Sequence, residues 1–382
     1  MKRSCTALWM TAVATLLVSP AAWAETIKLG AVLAVTGPAS FLGGPEARTL
    51  EMLESEINAK GGIKGNQVKI LIKDTTGSPE KAISYSKQLI EEDQVLAVIG
   101  PSSSGETMAV KSIFEDAKTP LISCSAAEVI VDPVASYVFK VAQNDSFAVR
   151  KIFMEMNRQN ISKVAVMADN TGFGKAGKEQ LTKIAPEYKV EILENEVYDA
   201  KITDLTAVVA KLKTNAAVQA VINWSTVPAQ SIVIKNIRQA GWQIPIFQSH
   251  GFANVKYAEA AGAAAEGVIF PAGRLMVADL LPENHPQKAV LTAYKKEYEG
   301  KYQENVSTFG GHAYDSFMML KKAIETAGTD KAKIREAVEN LKNFPGTGGM
   351  YSFSPTDHQG LTLDAFEMMT VKNGSFIPYT GK

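Results

Sequence analysis

The sequence lacks an excess of charge of either sign, because its 382 residues contain 40 Lys and Arg and 40 Asp and Glu. A neutral chain offers no basic surface for phosphate backbones or anionic lipid, so nucleic acid is not an expected partner. Histidine is also scarce. The four copies, His250, His285, His312 and His358, do not show the spacing of a metal site. We therefore predict neither a bound metal nor a cofactor.

Cysteine is almost absent, with only Cys5 and Cys124 in the chain. Cys5 falls in an N-terminal segment that is predicted to be removed, so Cys124 would remain alone and no internal disulfide could form. A free thiol is most often a small buried residue rather than a nucleophile, and we interpret Cys124 in that way. The protein must then be held together by its hydrophobic cores.

Long hydrophobic runs are absent apart from one at the N-terminus. Two basic residues precede an apolar stretch that ends at Val18, and Ala22-Trp23-Ala24 follows. This arrangement predicts a secretory signal peptide over residues 1–24, cleaved before Glu25. The alternative, a membrane anchor, needs about 20 apolar residues, and this stretch is shorter. We expect a periplasmic protein with no membrane insertion after cleavage.

The rest of the chain alternates short β-rich runs with helical runs. In a first series, strands predicted at 27–35, 68–73, 95–99 and 121–123 are separated by helices at 45–60, at 79–92 and up to about 118. A second series begins near 144 and has strands at 164–168, 190–194, 218–222 and 245–248. Such alternation with short connections predicts parallel sheets covered by helices on both faces. Because the chain is too long for one typical core, we predict two α/β lobes.

The C-terminal part contains helices without strands of their own to cover. Helical stretches at 286–299, 308–327 and 331–341 precede strand-like runs at 350–353 and 365–371. These helices need an existing sheet, so we expect them to return to the first lobe, while the last strands join the second. Several chain crossings between the lobes would form a hinge.

Two glycine patterns suggest enzymes, and neither fits in detail. The segment 172–177, Gly-Phe-Gly-Lys-Ala-Gly, matches the dinucleotide-binding pattern, but three residues at 169–171 separate it from the preceding strand. The segment 100–105, Gly-Pro-Ser-Ser-Ser-Gly, lacks the glycine that a hydrolase nucleophile elbow requires at 104. An exported NAD-dependent enzyme stays as an alternative, but we predict a protein without catalytic activity.

The 100–105 turn is better suited to binding an anion. It follows one predicted strand and starts a helix, where free backbone N–H groups and the positive helix end attract a carboxylate. Ser104 could add a hydroxyl donor, and the neighbouring strand ends beside it in Cys-Ser-Ala-Ala at 124–127. The alternative is that the serines at 102–104 only cap the helix, and the sequence favours neither interpretation.

Several segments together resemble the leucine/isoleucine/valine-binding proteins of bacterial ABC importers. They are residues 57–65 (Ile-Asn-Ala-Lys-Gly-Gly-Ile-Lys-Gly), Asp74 and Pro79, 98–101 (Val-Ile-Gly-Pro) with Ser104, 120–123 (Pro-Leu-Ile-Ser) and 265–267 (Ala-Glu-Gly). The order of elements also matches along the whole mature chain. Taken together, these segments are a far more specific signal than any one of them alone.

The resemblance implies a type I periplasmic binding fold, in which two Rossmann-like lobes with parallel-rich sheets are joined by a three-crossing hinge. We expect the crossings near Gln143, Pro271 and Gly348. Lobe I, which binds the carboxylate, would comprise 25–143 plus 272–347. Lobe II, which closes over it, would comprise 144–271 plus 348–382.

The resemblance also implies positions for the ligand. The first lobe would hold a carboxylate through Ser104 and through Ser125, Ala126 and Ala127 on the next loop. Where the family often has a threonine for the ligand amino group, this chain has Ala127. Where the family commonly has an acid for the ligand ammonium, residues 249–254, Ser-His-Gly-Phe-Ala-Asn, contain no carboxylate. Burying an ammonium without a partner would be costly.

Aromatic and weakly polar residues are expected to complete the pocket. They are Phe41, Leu42, Phe173, Trp224, Thr226, His250 and Tyr314. Phe173 corresponds to an aromatic residue that covers the ligand in the family. Each aromatic side chain has the alternative of packing in an ordinary core. His250 either donates to a phenol or second carboxylate, or caps a turn.

We therefore predict a solute-binding protein that captures a small organic carboxylate by hinge closure and presents it to the permease subunits of an ABC importer. Two ligand classes compete. Hydrophobic amino acids are favoured by the resemblance, whereas aromatic or aliphatic acids without an amino group are favoured by Ala127 and the 249–254 loop. A periplasmic component that delivers its ligand to a sensory receptor is an alternative role.

Overall fold

A computed structural model describes residues 26–381, so the predicted signal peptide and Cys5 lie outside the described residues. The strands, in chain order, are β1 (Ile27–Leu33), β2 (Val68–Asp74), β3 (Val98–Ile99), β4 (Leu121–Ser123), β5 (Val138–Lys140), β6 (Lys163–Asp169), β7 (Glu191–Tyr198), β8 (Ala220–Trp224), β9 (Ile246–Gln248), β10 (Ile269–Ala272), β11 (Phe344–Pro345), β12 (Met350–Tyr351), β13 (Glu367–Lys372) and β14 (Ser375–Pro378). The helices are α1 (Ser40–Ala59), α2 (Pro79–Glu91), α3 (Ser104–Asp116), α4 (Asp145–Arg158), α5 (Gly172–Ile184), α6 (Thr206–Lys213), α7 (Ala229–Gln239), α8 (Val255–Ala261), α9 (Lys288–Tyr302), α10 (Thr308–Ala327) and α11 (Lys331–Glu339). Within residues 26–381, no helix has the length and apolar character needed to cross a membrane.

The strands form two large sheets. The first has the order β2-β1-β3-β4-β5 and is parallel throughout. The second has the order β14-β13-β10-β9-β8-β6-β7, in which only β13 and β14 run antiparallel to their neighbours. The predicted α/β class with parallel-rich sheets is therefore confirmed.

The first sheet is covered by helices on both faces. Alternate residues of β1, such as Leu29 and Leu33, pack with Leu50 of α1 and Phe317 of α10 in one core. Val32 points the other way into a core that includes residues of α2 and α3. This explains why β1 is a nearly continuous apolar run, since both faces of a parallel sheet are buried. We call this sheet and its helices the first lobe.

The second sheet is built in the same way. Val164 and Val166 of β6 pack into a core with residues of α4 and α5. Ala165 and Met167, which point to the opposite face, pack with residues of α6, α7 and α8. We call this sheet and its helices the second lobe.

The chain passes between the two cores at positions that the packing identifies. Val141 belongs to a core of the first lobe, and Ala142 to a core of the second. Near the C-terminus, Ala365 packs in the first lobe and Phe366 in the second. The last passage thus lies after the expected position, Gly348, because the intervening chain packs along the first sheet before β13 begins.

Helix α1 begins earlier than the sequence indicates, and its start is joined to the second lobe. A helix was expected from Pro45, since proline favours the first turn, but α1 begins at Ser40. Pro45 has no N–H to give to the carbonyl of Phe41, four residues before it. Asn254 of the second lobe supplies the missing donor, because its Nδ2 lies 3.1 Å from that carbonyl oxygen.

Candidate ligand-binding site

A small cavity lies between the two lobes, where the carboxyl ends of their parallel strands face each other. Its volume is ≈ 20 Å³. Residues of both lobes line it: Leu42, Ser102, Ser103, Ser104, Cys124, Ser125, Ala126, Ala142, Phe173, Thr226, His250, Gly251, Thr308, Phe309 and His312. The crevice at the carboxyl ends of strands is the usual ligand position in α/β folds. A space of this size holds about one water molecule, so a larger ligand would require the walls to move apart.

The serine turn after β3 contains the cap of α3, and its serines also line the cavity. Ser103 is the cap of α3: its Oγ accepts a hydrogen bond from Glu106 N at 3.3 Å and donates to Glu106 Oε2 at 2.6 Å. The Ser-x-x-Glu spacing is that of a capping box, but Glu106 accepts from the Ser103 hydroxyl and not from the Ser103 backbone N–H. Ser104 begins the helix and lines the cavity, and its Oγ accepts from Ala127 N at 3.3 Å. Capping therefore falls to Ser103, which leaves the hydroxyl hydrogen of Ser104 for a ligand.

The loop after β4 is fixed against this turn. Ser125 Oγ donates to Pro101 O at 3.0 Å and lies 3.0 Å from Thr107 Oγ1. Its hydroxyl therefore joins the two loops rather than pointing freely at a ligand. Ala126 lines the cavity, whereas Ala127 lies behind it with its N–H bonded to Ser104. The donors that remain for an anion are the Ser104 hydroxyl and the first N–H groups of α3, apart from that of Glu106, which donates to Ser103 Oγ.

A lysine is buried behind this loop. Lys140 Nζ donates to Ala126 O at 2.9 Å and to Ala142 O at 2.8 Å. Burial lowers the pKa of Lys140 and raises the pKa of the nearby Asp145, and the attraction between the two groups opposes both shifts. An anion bound in front of the loop would stabilise the charged form of Lys140, whereas a bound cation would oppose it.

Aromatic rings form the wall on the second lobe. Phe173, in the first turn of α5, lies 5.7 Å from the ring of Trp224 in a stacked arrangement and 5.4 Å from the ring of His250. Trp224 is fully buried behind Phe173 and does not line the cavity. It supports the ring that does.

Two other predicted residues lie outside the cavity. The ring of Phe41 is half-buried and packs 5.1 Å from Tyr257, beside the contact between the lobes. Tyr314 packs 4.9 Å from Tyr294, on the side of α10 that faces α9. The structure therefore brings Leu42, Ser104, Ser125, Ala126, Phe173, Thr226 and His250 together, but not Phe41, Ala127, Trp224 or Tyr314.

The structure adds residues that the sequence reasoning did not select. They are Ser102, Ser103, Cys124, Ala142, Gly251, Thr308, Phe309 and His312. Three of them come from α10, whose first turn points at the cavity. Helical spacing places Thr308 and His312 on one face, four residues apart, and places Tyr314 elsewhere. That spacing pairs His312 with Thr308, but it does not by itself place either residue at the cavity.

No aspartate or glutamate lines the cavity in the described part of the chain. Two carboxyl groups are hydrogen-bonded to residues of its lining, Glu46 through the hydroxyl of Ser102 and Glu106 through the hydroxyl of Ser103. Burial raises the pKa of Glu46 to about 8, although the hydrogen bond from Ser102 opposes this shift, and the charge of Glu106 makes a smaller contribution in the same direction as burial. Glu46 is therefore largely uncharged at neutral pH and is a poor partner for an ammonium group.

The glycines at 174 and 177 serve packing rather than a nucleotide. A Cβ on Gly174 would lie 2.0 Å from the Asp169 carbonyl oxygen, and one on Gly177 would lie 2.0 Å from Trp224 Nε1. Both positions need glycine because α5 passes so close to its neighbours. The dinucleotide pattern thus has a structural explanation, and a cavity of this size does not suit a dinucleotide.

The two lobes also approach each other at a pair of glycines. A Cβ on Gly172, at the start of α5, would lie 2.6 Å from Gly105 Cα, at the start of α3. In the opposite direction there is more room, because a Cβ on Gly105 would lie 3.6 Å from Gly172 N. The first turns of the two helices therefore meet beside the cavity with no side chain between them.

Two α/β lobes that line one small cavity from the ends of their strands define a bilobal ligand-binding protein. The chain belongs to the periplasmic binding protein family, because the model of that family matches residues 26–375. The predicted family and type of fold are confirmed, as is the prediction of a binding protein rather than an enzyme.

Similar proteins agree with this family. The leucine-, isoleucine-, valine-, threonine- and alanine-binding protein of Pseudomonas aeruginosa is 28% identical over 320 residues, which cover 82% of each chain. The Leu/Ile/Val-binding protein of Escherichia coli K12 is 27% identical over 290 residues, 74% of this chain and 76% of that one. Among solved structures, an extracellular ligand-binding receptor from Rhodopseudomonas palustris HaA2 has a TM-score of 0.87 at 25% identity, over 92% of this chain and 99% of that one. The branched-chain amino acid transporter substrate-binding protein LivJ from Streptococcus pneumoniae, in complex with isoleucine, has a TM-score of 0.82 at 28% identity, over 92% and 98%.

Proposed function

We propose that this protein is the extracytoplasmic solute-binding component of an ABC importer and that it captures a small organic carboxylate. The observation that carries the proposal is the meeting of two strand ends at one edge of the cavity, where hydroxyl and backbone N–H donors lie together. There, Ser104 and the first turn of α3 face the cavity, and Lys140 lies behind the loop that closes it. Backbone N–H groups at a helix start are a common carboxylate site.

The apolar part of the ligand would contact the remaining walls. Leu42 and Phe309 come from the first lobe, and Phe173 comes from the second. All three side chains contact a ligand at once only when the lobes are closed. Because these contacts are lost when the lobes open, they favour the closed state of the ligand-bound protein. The closed shape is what the permease subunits would recognise.

The passages between the lobes are suited to act as a hinge. Gln143 Nε2, on the first passage, donates to Gly348 O at 2.9 Å. A Cβ on Gly273, just after the crossing expected near Pro271, would lie 2.8 Å from the same amide nitrogen. The Gln143 side chain thus joins the first passage to Gly348 and lies beside the expected second crossing, and a change at Gln143 would alter closure without touching the ligand.

A ligand screen tests the proposal directly. Purified mature protein is examined by thermal shift with leucine, phenylalanine, benzoate and the hydroxybenzoates. A ligand present at about 100 times its dissociation constant stabilises the folded state by about 2.7 kcal/mol. Stabilisation by at least one small carboxylate, absent with the corresponding amide, supports the proposal. Equal stabilisation by an acid and its amide would contradict carboxylate capture.

A further inference from the structure

Two buried histidines face the cavity from opposite lobes and have unused hydrogen-bonding capacity. His250 follows β9 in the second lobe, and His312 lies in the second turn of α10 in the first. They are 6% and 3% exposed, and both line the cavity. Neither ring nitrogen of His250, and not Nδ1 of His312, has a hydrogen-bond partner in residues 26–381.

These rings are neutral. Burial lowers the pKa of each histidine to about 3, and Lys140 contributes to both shifts. A neutral imidazole presents one N–H donor and one nitrogen acceptor. His312 Nε2 lies 3.4 Å from Thr308 Oγ1. The His312 ring also interacts with the backbone of Cys124, but the geometry between His312 Nδ1 and that backbone is not that of a hydrogen bond.

Unpaired polar groups in such a position need an explanation. A buried donor or acceptor without a partner is costly to the folded state, so nearly all such groups are satisfied. His250 is surrounded by the rings of Phe173, Trp224 and Phe366, and none of them makes a hydrogen bond to its nitrogens in the described chain. The open side of His250 is the cavity itself.

A positively charged group is a poor partner for these rings. No acidic side chain lines the described cavity, and Glu46 is held in its uncharged form by burial. An ammonium placed between the lobes would also lie in the field of Lys140, which reaches both histidines. An oxygen accepts from an imidazole N–H without this penalty, and a hydroxyl can in addition donate to the other nitrogen.

We propose that His250 and His312 form a second polar subsite for an oxygen of the ligand, and that the ligand is a small carboxylic acid that carries this second oxygen and no ammonium group. This inference rests on the proposed function, because it assumes that the carboxylate occupies the Ser104 side of the cavity. It assigns a specificity role to two residues that contact the ligand directly.

Matched pairs of acids test the subsite by calorimetry on the mature protein. Phenylalanine and 3-phenylpropionate differ by the amino group, and benzoate and the three hydroxybenzoates differ by one hydroxyl. We expect the amine-free acid of the first pair to bind more tightly. We also expect at least one hydroxybenzoate to bind about tenfold more tightly than benzoate, which corresponds to 1.4 kcal/mol.

The variants His250→Phe and His250→Gln show whether the histidine causes this preference. His250→Phe suits the aromatic surroundings and should bring the affinities of the hydroxybenzoate and benzoate within about twofold of each other. His250→Gln keeps a donor and an acceptor and should retain part of the preference. It also serves if the phenylalanine variant does not fold. His285→Phe is the matched control, since His285 lies outside the cavity and bonds to the backbone of Gln287.

The outcomes separate this inference from the function on which it rests. If no acid and no amino acid binds, the proposed function fails. If acids bind, carboxylate capture stands, and three results would each overturn the second subsite. The first is tighter binding of phenylalanine than of 3-phenylpropionate, and the second is the absence of a preference for a hydroxybenzoate over benzoate. The third is a preference that is unchanged in both His250 variants.

Discussion

The approach of α3 and α5 at Gly105 and Gly172 leads to a sharp test of lobe closure. Replacing Gly172 with alanine places a methyl group 2.6 Å from Gly105 Cα. Carbon atoms pack at about 3.5 to 4.0 Å, so the lobes would have to separate by roughly 1 Å at this point. Overpacking of this kind typically costs about 1 to 3 kcal/mol. Because the clash exists only when the lobes meet, we expect ligand affinity to fall roughly 5- to 150-fold.

The reverse substitution is a matched control. Gly105→Ala adds the same methyl group to the first turn of the other helix, but its Cβ would lie 3.6 Å from the nearest atom of Gly172. This is an ordinary contact, so affinity should stay close to that of the wild type. Titration calorimetry with the strongest carboxylate from the screen measures both variants, and urea unfolding checks that each lobe is intact. Equal affinities for the two variants would refute the idea that this contact forms on closure.

Three further predictions concern single side chains. Ser104→Ala removes the hydroxyl donor and should weaken carboxylate binding, measured by calorimetry, by about 1 to 3 kcal/mol. Ser86→Ala is the control and should not affect binding, because it removes a buried hydroxyl of α2 that has no hydrogen-bond partner in the described chain. The pKa of Glu46 is raised from 4.5 to about 8 in the folded state, so its contribution to stability is full below pH 4.5 and is lost as the pH rises through 8. Glu46→Gln should therefore flatten the fall in unfolding free energy between pH 5 and 9, and an unchanged pH profile would contradict this assignment. Cys124 lines the cavity, and burial raises the pKa of its thiol. A thiol reagent should therefore modify Cys124 slowly without ligand and more slowly still with ligand. Rapid modification both with and without ligand would show that the cavity is open.

The elements of the fold could be predicted where the signal is local. The strand at 121–123 and the helix at 308–327 have the bounds that the sequence indicates. The sequence did not indicate β5, although β4 has the same length of three residues. Its place depends on a partner far along the chain: Lys140 N donates to His358 O at 3.1 Å.

The cavity was predictable where residues directly follow a strand, and less so elsewhere. Ser104 begins the helix after β3, and Ser125 and Ala126 lie in the loop after β4, so the parallel strands bring them to one edge. His312 lies within a helix, and only the way α10 packs on the first sheet turns it toward the second lobe. Sequence reasoning had no means of placing that helix relative to a cavity made by two lobes.

The bond between Asn254 and the carbonyl of Phe41 has a consequence for the precision of closure. When the lobes are open, water could donate a hydrogen bond to the Phe41 carbonyl, so the bond from the Asn254 amide adds little to the free energy of closure. If the lobes closed in a slightly rotated arrangement, water would be excluded and the Asn254 amide would not reach the Phe41 carbonyl. That carbonyl oxygen would then have no hydrogen-bond donor. The proline that interrupts the helix ladder thus penalises misaligned docking of the two halves, which would present a transport partner with one well-defined surface.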